Sequence, residues 1–448
     1  MEFIPKEISE FIDLPGNHSL LVKGLPGTGK TTFSLMLIRE TSDRFRWTYL
    51  SSRISKEDIF SHYPWLRDEE RFEVEEFRLT TPSTALKKIL DLISSSTCVV
   101  IDSWDAFANL IPKEEREKAE NAIVSSASAL KSFVLFVCER EEHYPLDYLV
   151  DGIVNLRKMD MEGRTIRELK IEKLRGVEVK RDSYVFTLHN AEFRCAKPWT
   201  WGFIPRERRR TVEPKFAAGR ILPSMVEGLD EILGGGWGEG SINLIEVFEG
   251  VGNRYIALTI PSQLAHLQGG NSLIVMPTMA FRGKDIVENF VKGFVVPDPL
   301  ENLRFILPQG TSYRKSRYVL TIRLENPLEA AESFVNYCSS LISRSRNGTL
   351  VVVLGLDTLE NEMGPKGASE FLYKVASWIK VNPVFCFLIL KEKHMIPRRI
   401  VHMADTHFKV RPRDGSVIIY GVVPETRAMI LEVSFSQGYP KVSLVPIE

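Results

Sequence analysis

Gly24-Leu25-Pro26-Gly27-Thr28-Gly29-Lys30-Thr31 sets glycines, a lysine and a hydroxyl at the spacing G-x-x-x-x-G-K-[ST], a combination suited to holding a phosphate chain. Glycines carry no Cβ, so successive backbone N–H groups can curl around an anion. A helix starting near Lys30 would aim its dipole and free N–H groups at the same charge. Lys30 supplies a point charge for the β- and γ-phosphates, and the Thr31 hydroxyl supplies a ligand for Mg²⁺. Residues Gly24 through Thr32 are therefore the expected nucleotide contacts. About seventy residues on, Cys98-Val99-Val100-Ile101-Asp102 is an apolar run ending in a carboxylate, the form expected of the acid that steadies Mg²⁺. Thr31 and Asp102 are thus the expected metal residues, and Lys30 and Asp102 the expected catalytic ones. Asp105 is either a further polar group near the metal or a solvated helix start.

The second half restarts the pattern without its chemistry. In INLIEVFEGVGNRYIAL (242–258), placing Gly252 at the last loop glycine puts Val247 at the first, Asn253 at the lysine and Arg254 at the hydroxyl position. The later apolar run 351–355 ends on Gly355 where an acid is needed, and Asp357 comes two residues late. Such a copy is expected to contribute packing, a partner surface, or residues that complete the first site, and not to bind Mg·ATP in the usual way.

These loops need elements to position them. Runs 19–23, 47–51, 98–102 and 133–138 read as strands buried in a parallel sheet, with helical patterns at 31–39 and 83–93 between them. Runs 152–159, 168–173 and 183–188 read as antiparallel strands, and 272–276, 349–354 and 385–390 as buried strands of the second half. The β-α-β-α order predicts α/β architecture: two tandem domains, each a twisted, mainly parallel sheet flanked by helices. The expected division is 1–192, a Pro/Trp/Arg-rich linker at 193–217, and 218–448.

Composition narrows the function. The 448 residues hold 58 Lys+Arg and 58 Asp+Glu, so 58 − 58 = 0 and no global field draws the chain to nucleic acid or an anionic membrane. With 44% hydrophobic and 26% charged residues the chain is ordinary for a globular protein. No segment approaches the ~20 apolar residues of a membrane span, and MEFIPKEISE has no secretory pattern. The five cysteines are odd in number and lack C-x-x-C spacing, which implies reduced thiols and a cytoplasmic setting. Glutamine occurs only at 263, 268, 309 and 437, a composition that hints at a thermophilic source. Arg206, Arg208, Arg209 and Arg210, with Trp199 and Trp201 nearby, could grip phosphates and stack bases. A charge run in a linker is more often solvated or set against an acidic protein surface. His402, Asp405 and His407 read as polar strand-end residues, not a metal site.

LLVKGLPGTGKTT, CVVIDSWDAF, Glu139-Arg140 and LKIEKLRG (169–176) together resemble the KaiC branch of the RecA-type ATPases. Within it, YLSSRIS (49–55), PWL (64–66), DSWDA (102–106) and RERRR (206–210) are similar to the archaeal GvpD-like proteins. The resemblance covers the first half and returns at LPSMVEGLDEILGGG (222–236) and INLIE (242–246). It implies nucleotide bound at subunit edges, often with ring assembly. It also implies that Lys173 and Arg175 reach the γ-phosphate of a neighbouring subunit, as an arginine finger would; as residues alone they equally read as a basic strand end, and Val179 stands where the family has a histidine. The family's paired glutamates, one of them the water-activating base, align with Arg53 and Ile54. Arginine has no lone pair to take a proton, so Arg53 would serve as a γ-phosphate sensor, and Glu57, Glu139 or Glu141 would have to replace the base. The expected function is a Mg·ATP-binding regulator with slow or absent hydrolysis. It would control a protein partner, such as a transcription regulator, and would self-associate. An active ATPase acting on nucleic acid is the alternative.

Overall fold

The computed structural model describes residues 3–76, 82–95, 98–199, 220–279, 302–311, 317–392, 395 and 398–448. The arginines of the 206–210 run and Trp201 lie outside them. The chain separates into two compact units, Met1–Lys197 with Pro446–Glu448, and Pro198–Val445.

In the first unit, β1 (Ser19–Lys23), β2 (Trp47–Ser51), β3 (Phe72–Glu76), β4 (Cys98–Asp102), β5 (Phe133–Cys138), β6 (Gly152–Met161), β7 (Arg164–Leu174), β8 (Ser183–Thr187) and β9 (Arg194–Cys195) form one sheet in the order β3-β2-β4-β5-β1-β6-β7-β8-β9. The first six in this order run parallel. Helices α1 (Lys6–Asp13), α2 (Lys30–Thr41), α3 (Lys56–His62), α4 (Pro82–Ser95), α5 (Trp104–Ala108), α6 (Lys113–Leu130) and α7 (Pro145–Leu149) complete the unit. Strand β4 shows why its run is apolar throughout. Cys98 and Val100 join one buried cluster with Phe33, Leu35 and Tyr49, while Val99 and Ile101 join another with Trp104 and Phe136. Both faces of the sheet are covered, so no position is left for a solvent-facing polar residue. Each large side chain buried this way contributes about 1.5–3 kcal/mol of transfer free energy.

The structure adds a pairing and a strand to the sequence reading. Residues 152–159, read as an antiparallel strand, do pair antiparallel with β7, and β6 also pairs parallel with β1, which joins the hairpin to the parallel sheet. Strand β3, FEVEE, carries no continuous apolar run. It lies at the sheet edge with buried and exposed residues alternating, a pattern that short acidic strands hide from sequence reading.

The second unit contains β10 (Ile221–Leu222), β11 (Val226–Glu227), β12 (Trp237–Gly238), β13 (Ile242–Val247), β14 (Ser272–Met276), β15 (Leu303–Pro308), β16 (Val319–Ile322), β17 (Leu350–Gly355), β18 (Val384–Lys391), β19 (Thr406–Arg413), β20 (Ser416–Val423), β21 (Met429–Ser434) and β22 (Lys441–Pro446). Its main sheet runs β11-β22-β21-β20-β19-β13-β18-β17-β14-β15-β16. Matched by position, β15-β14-β17-β18-β13-β19-β20-β21 repeats β3-β2-β4-β5-β1-β6-β7-β8. The switch from parallel to antiparallel also falls at the equivalent place, between β19 and β20. This shared order is the physical form of the duplication read from sequence. Among the described residues, no helix is long and apolar enough to cross a membrane. All five cysteines are buried and free.

Candidate nucleotide site

The loop between β1 and α2 is built by glycines at backbone angles other residues resist. Gly24, Gly27 and Gly29 have φ of 149°, 76° and 99°. A Cβ on Gly24 would stand 2.3 Å from the Leu156 carbonyl oxygen, and one on Gly29 would stand 2.9 Å from Leu188 methyls. Gly24 N–H donates to Arg140 O at 3.2 Å, anchoring the loop's start. Helix α2 begins at Lys30 with Gly29 left-handed at its cap and no side chain covering the terminus. Lys30 is 7% exposed, and its Nζ donates to the carbonyls of Gly24 (2.7 Å) and Leu25 (2.9 Å) within its own loop. Burial lowers its pKa, opposed first by the charge of Glu139 and then by that of Asp102.

Across the sheet, β4 ends one strand away from β2 and two from β1. Thr31 Oγ1 donates to Asp102 Oδ2 at 2.7 Å, which joins the two expected metal residues directly. Tyr49, on β2, donates its hydroxyl to the same oxygen. Burial raises the Asp102 pKa, and the bonds from Tyr49 and Thr31 and the Lys30 charge pull it back. Glycines a Cβ would crowd out, a buried lysine resting on loop carbonyls, and a hydroxyl–carboxylate pair of hard oxygen donors form a set that fits a nucleotide phosphate chain and Mg²⁺. Sequence reasoning missed Tyr49. Its only signal is a polar aromatic inside a buried strand, and its role shows only when β2 and β4 pair. Thr32, also an expected nucleotide contact, bonds Tyr63 OH at 2.9 Å.

The segment after β5 carries two further charged residues near the loop, Glu139 and Arg140. Glu139 is held by Arg53 through two parallel bonds, Nη1 to Oε1 at 2.6 Å and Nη2 to Oε2 at 2.8 Å. Both carboxylate oxygens of the candidate base are thereby engaged by the residue standing at the family's glutamate position. Asp105 accepts from Glu139 N at 2.5 Å and pairs with Arg140, so it fixes the turn that carries Glu139. Glu57 and Glu141 are exposed.

Lys173 and Arg175 sit elsewhere. Strand β7 lies within the sheet, and its end pairs with the start of β6 (Leu174 with Gly152), which in turn pairs with Leu20 near the start of β1. The loop follows the other end of β1. Lys173 Nζ donates to Asp147 O (3.2 Å) and Val150 O (2.5 Å), and Arg175 pairs with Asp151 at 2.8 Å. The fold therefore does not bring these two residues to the loop of their own chain.

The corresponding loop of the second unit is closed by its own cations. Arg254 donates Nε to Val251 O (3.1 Å), Nη2 to Gly250 O (3.0 Å) and Nη1 to Gly415 O (2.8 Å). Lys391 donates to Gly252 O at 3.1 Å and sits 4.2 Å over the Tyr255 ring. The expected helix does not start at the loop. A five-residue 3₁₀ turn, Arg254–Leu258, intervenes, and the α-helix Ile260–Gln268 carries Pro261 in its first turn. Gly355 abuts the 277–278 backbone so closely that a Cβ would lie 2.6 Å from Thr278 N. Asp357 accepts from Met279 N at 3.0 Å. No cluster of His, Cys, Asp and Glu fit for a metal ion occurs among the described residues, His402, Asp405 and His407 included.

Comparison with known proteins shows what parts of the chain are similar to. The model of the family described as "ATPase: KaiC" matches residues 49–194, from β2 to the start of β9, and includes Asp102. Protein GvpD2 of Halobacterium salinarum is 24% identical over 497 aligned residues, covering 98% of this chain and 95% of that protein. Protein GvpD1 of the same organism is 21% identical over 532, covering 98% and 96%.

Proposed function

We propose that this chain, a KaiC- and GvpD-like protein with a KaiC-type ATPase domain in its first unit, binds one Mg·ATP there and uses it as a regulatory ligand. The observation that carries this reading is the contrast between an intact cradle and an engaged base. The loop 24–31, Lys30, Thr31 and Asp102 gather the groups that phosphate and Mg²⁺ binding call for, while Glu139, the base candidate beside Lys30, is paired to Arg53. Bound Mg²⁺ would neutralise charge between the phosphates. The chain's own residues would exchange the Lys30 bonds to Gly24 and Leu25 for bonds to phosphate, and orient the Thr31 hydroxyl through Asp102 and Tyr49. A water at the terminal phosphate would meet Glu139 with both oxygens engaged by Arg53, so proton removal is slow, the nucleotide persists and its presence is the signal. The second unit, with its loop filled by Arg254 and Lys391, is then free to serve as the surface read by a protein partner, a transcription regulator among the candidates. Five reduced, buried thiols suit a cytoplasmic setting.

A steady-state ATPase assay with and without single-stranded DNA tests the reading. The expected result is turnover well below ~1 s⁻¹ in both conditions. Rapid turnover stimulated by DNA would instead establish the nucleic-acid motor.

A further inference from the structure

Residues 446–448 lie against the first unit beside the phosphate loop, and one guanidinium touches both. Arg167, on β7 and 8% exposed, donates Nη1 to the carbonyl oxygen of Gly27 at 3.0 Å and Nε to the backbone oxygen of Glu448. Thr187, fully buried at the end of β8, donates its hydroxyl to Pro446 O at 2.6 Å and accepts the His189 N–H at 3.0 Å. His189 Nδ1 stands 3.1 Å from the Glu448 carboxylate, at ion-pair distance without hydrogen-bond alignment. Between Thr187 and His189, the Leu188 side chain packs on Gly29, where a Cβ would meet its methyls at 2.9 Å. The short segment 187–189 thus faces residues 446–448 with its polar groups and the loop with its apolar one.

Two loop positions therefore depend on what holds residues 446–448. A peptide unit is planar and trans, so the carbonyl of Gly27 and the N–H of Thr28 point in opposite directions. By fixing the Gly27 oxygen, Arg167 sets where the Thr28 N–H points, and that N–H now folds back on Leu25 O at 3.3 Å. A buried arginine must keep its donors satisfied. If the Glu448 oxygen leaves, the guanidinium has to find another acceptor and its grip on Gly27 changes. The segment also continues directly from β22, a strand of the second unit's sheet.

We propose that residues 446–448 are a docking tail for the nucleotide site, with Arg167 as the positioning residue that couples the two. A docked tail restricts the Gly27–Thr28 peptide, so less ordering is left for phosphate binding to supply, and bound nucleotide holds the tail in place in turn, because coupling between two binding events is reciprocal. The proposal rests on the reading of loop 24–31 as an ATP site and adds the element that tunes it.

The test uses the full-length chain, a fluorescent ATP analogue with Mg²⁺, and hydrogen exchange in the peptide spanning 441–448. Thr187→Val removes a tail contact and touches no loop residue; a second variant lacks residues 446–448; a third is Arg167→Lys. All three are expected to bind the analogue roughly five- to tenfold more weakly, within the usual range of such coupling. In the wild type, nucleotide is expected to slow exchange at 441–448, and in Lys30→Ala it is not. If the wild type binds the analogue and both tail variants bind it equally well, with no nucleotide effect on exchange, the tail is packing only and the proposal falls. If the wild type and Lys30→Ala both fail to bind, the ATP-site reading itself is wrong.

Discussion

The two loops share a fold position but use their cations in opposite ways. In the first unit, a lysine on a flexible stem rests on two carbonyls of its own loop, and the helix behind it begins at once with an uncapped terminus. A phosphate can take the lysine from those carbonyls, since a charged donor gains more from an anion than from a neutral oxygen. In the second unit, the planar guanidinium of Arg254 is held by three carbonyls, Lys391 covers a fourth, and the α-helix begins six residues past Arg254, at Ile260. The same strand order carries a loop open to an anion in one unit and a loop plugged by its own side chains in the other. Topology preserves the place for chemistry, and a few side chains decide whether chemistry happens there.

Breaking the first loop should give the largest effect. Lys30→Ala removes a charged donor to the phosphates, worth about 1.5–3 kcal/mol per bond, so affinity for Mg·ATP should fall about a hundredfold or more in calorimetric titration. Asn253→Ala and Arg254→Ala, at the matching positions of the second loop, should leave it unchanged.

The next effect sharpens why an open loop should turn over slowly. Arg53→Ala releases Glu139 from its two bonds, and hydrolysis should rise about tenfold, below the full contribution of a well-placed general base. Adding Glu139→Gln should cancel the gain. A fall in rate on Arg53→Ala would show that the arginine serves the γ-phosphate.

A smaller effect concerns self-association. Arg175 and Lys173 lie at the far end of β7 from their own loop, so any phosphate they reach belongs to another molecule. Sedimentation velocity should then show more self-association with ATP than with ADP, reduced in Arg175→Ala. An association state indifferent to nucleotide would assign the two residues to their contacts with Asp147, Val150 and Asp151 alone.

The smallest is a pH effect confined to the plugged loop. Burial lowers the Lys391 pKa to about 8, with Asp357 opposing. Because the folded state binds this proton less readily than the unfolded chain, this residue's contribution to stability should rise with pH from about 8 to the ordinary lysine range and be least favourable below 8. The thermal-unfolding difference between wild type and Lys391→Met should therefore shift in favour of the wild type between pH 8 and 10, and a difference that stays constant with pH would contradict this. Lys391 should also react with amine reagents at pH 8.5 ahead of exposed lysines.

Much of this was legible before the fold was seen, for a physical reason. The phosphate loop is a local device whose residues are contiguous, and the buried parallel strands leave unbroken apolar runs, so 19–23, 47–51 and 98–102 could be placed to the residue. What sequence could not reveal depends on strands meeting. Tyr49 reaches Asp102 because β2 pairs with β4, Arg53 meets Glu139 across 86 positions, and Arg167 meets Gly27 across 140. The plug in the second loop was half legible: the loss of the lysine showed, but the filling of the loop by Arg254 and Lys391 did not, since Lys391 arrives from another strand. Edge strand β3 escaped because its acidic alternation lacks the apolar run used to find the others.

The central claim is one open loop and one plugged loop in a single chain, and the number of ATP molecules bound tests it most directly. Isothermal titration of the full-length protein with Mg·ATP should give one site per chain, present in Arg254→Ala and lost in Lys30→Ala. Two sites per chain, or a single site that survives Lys30→Ala, would contradict the account.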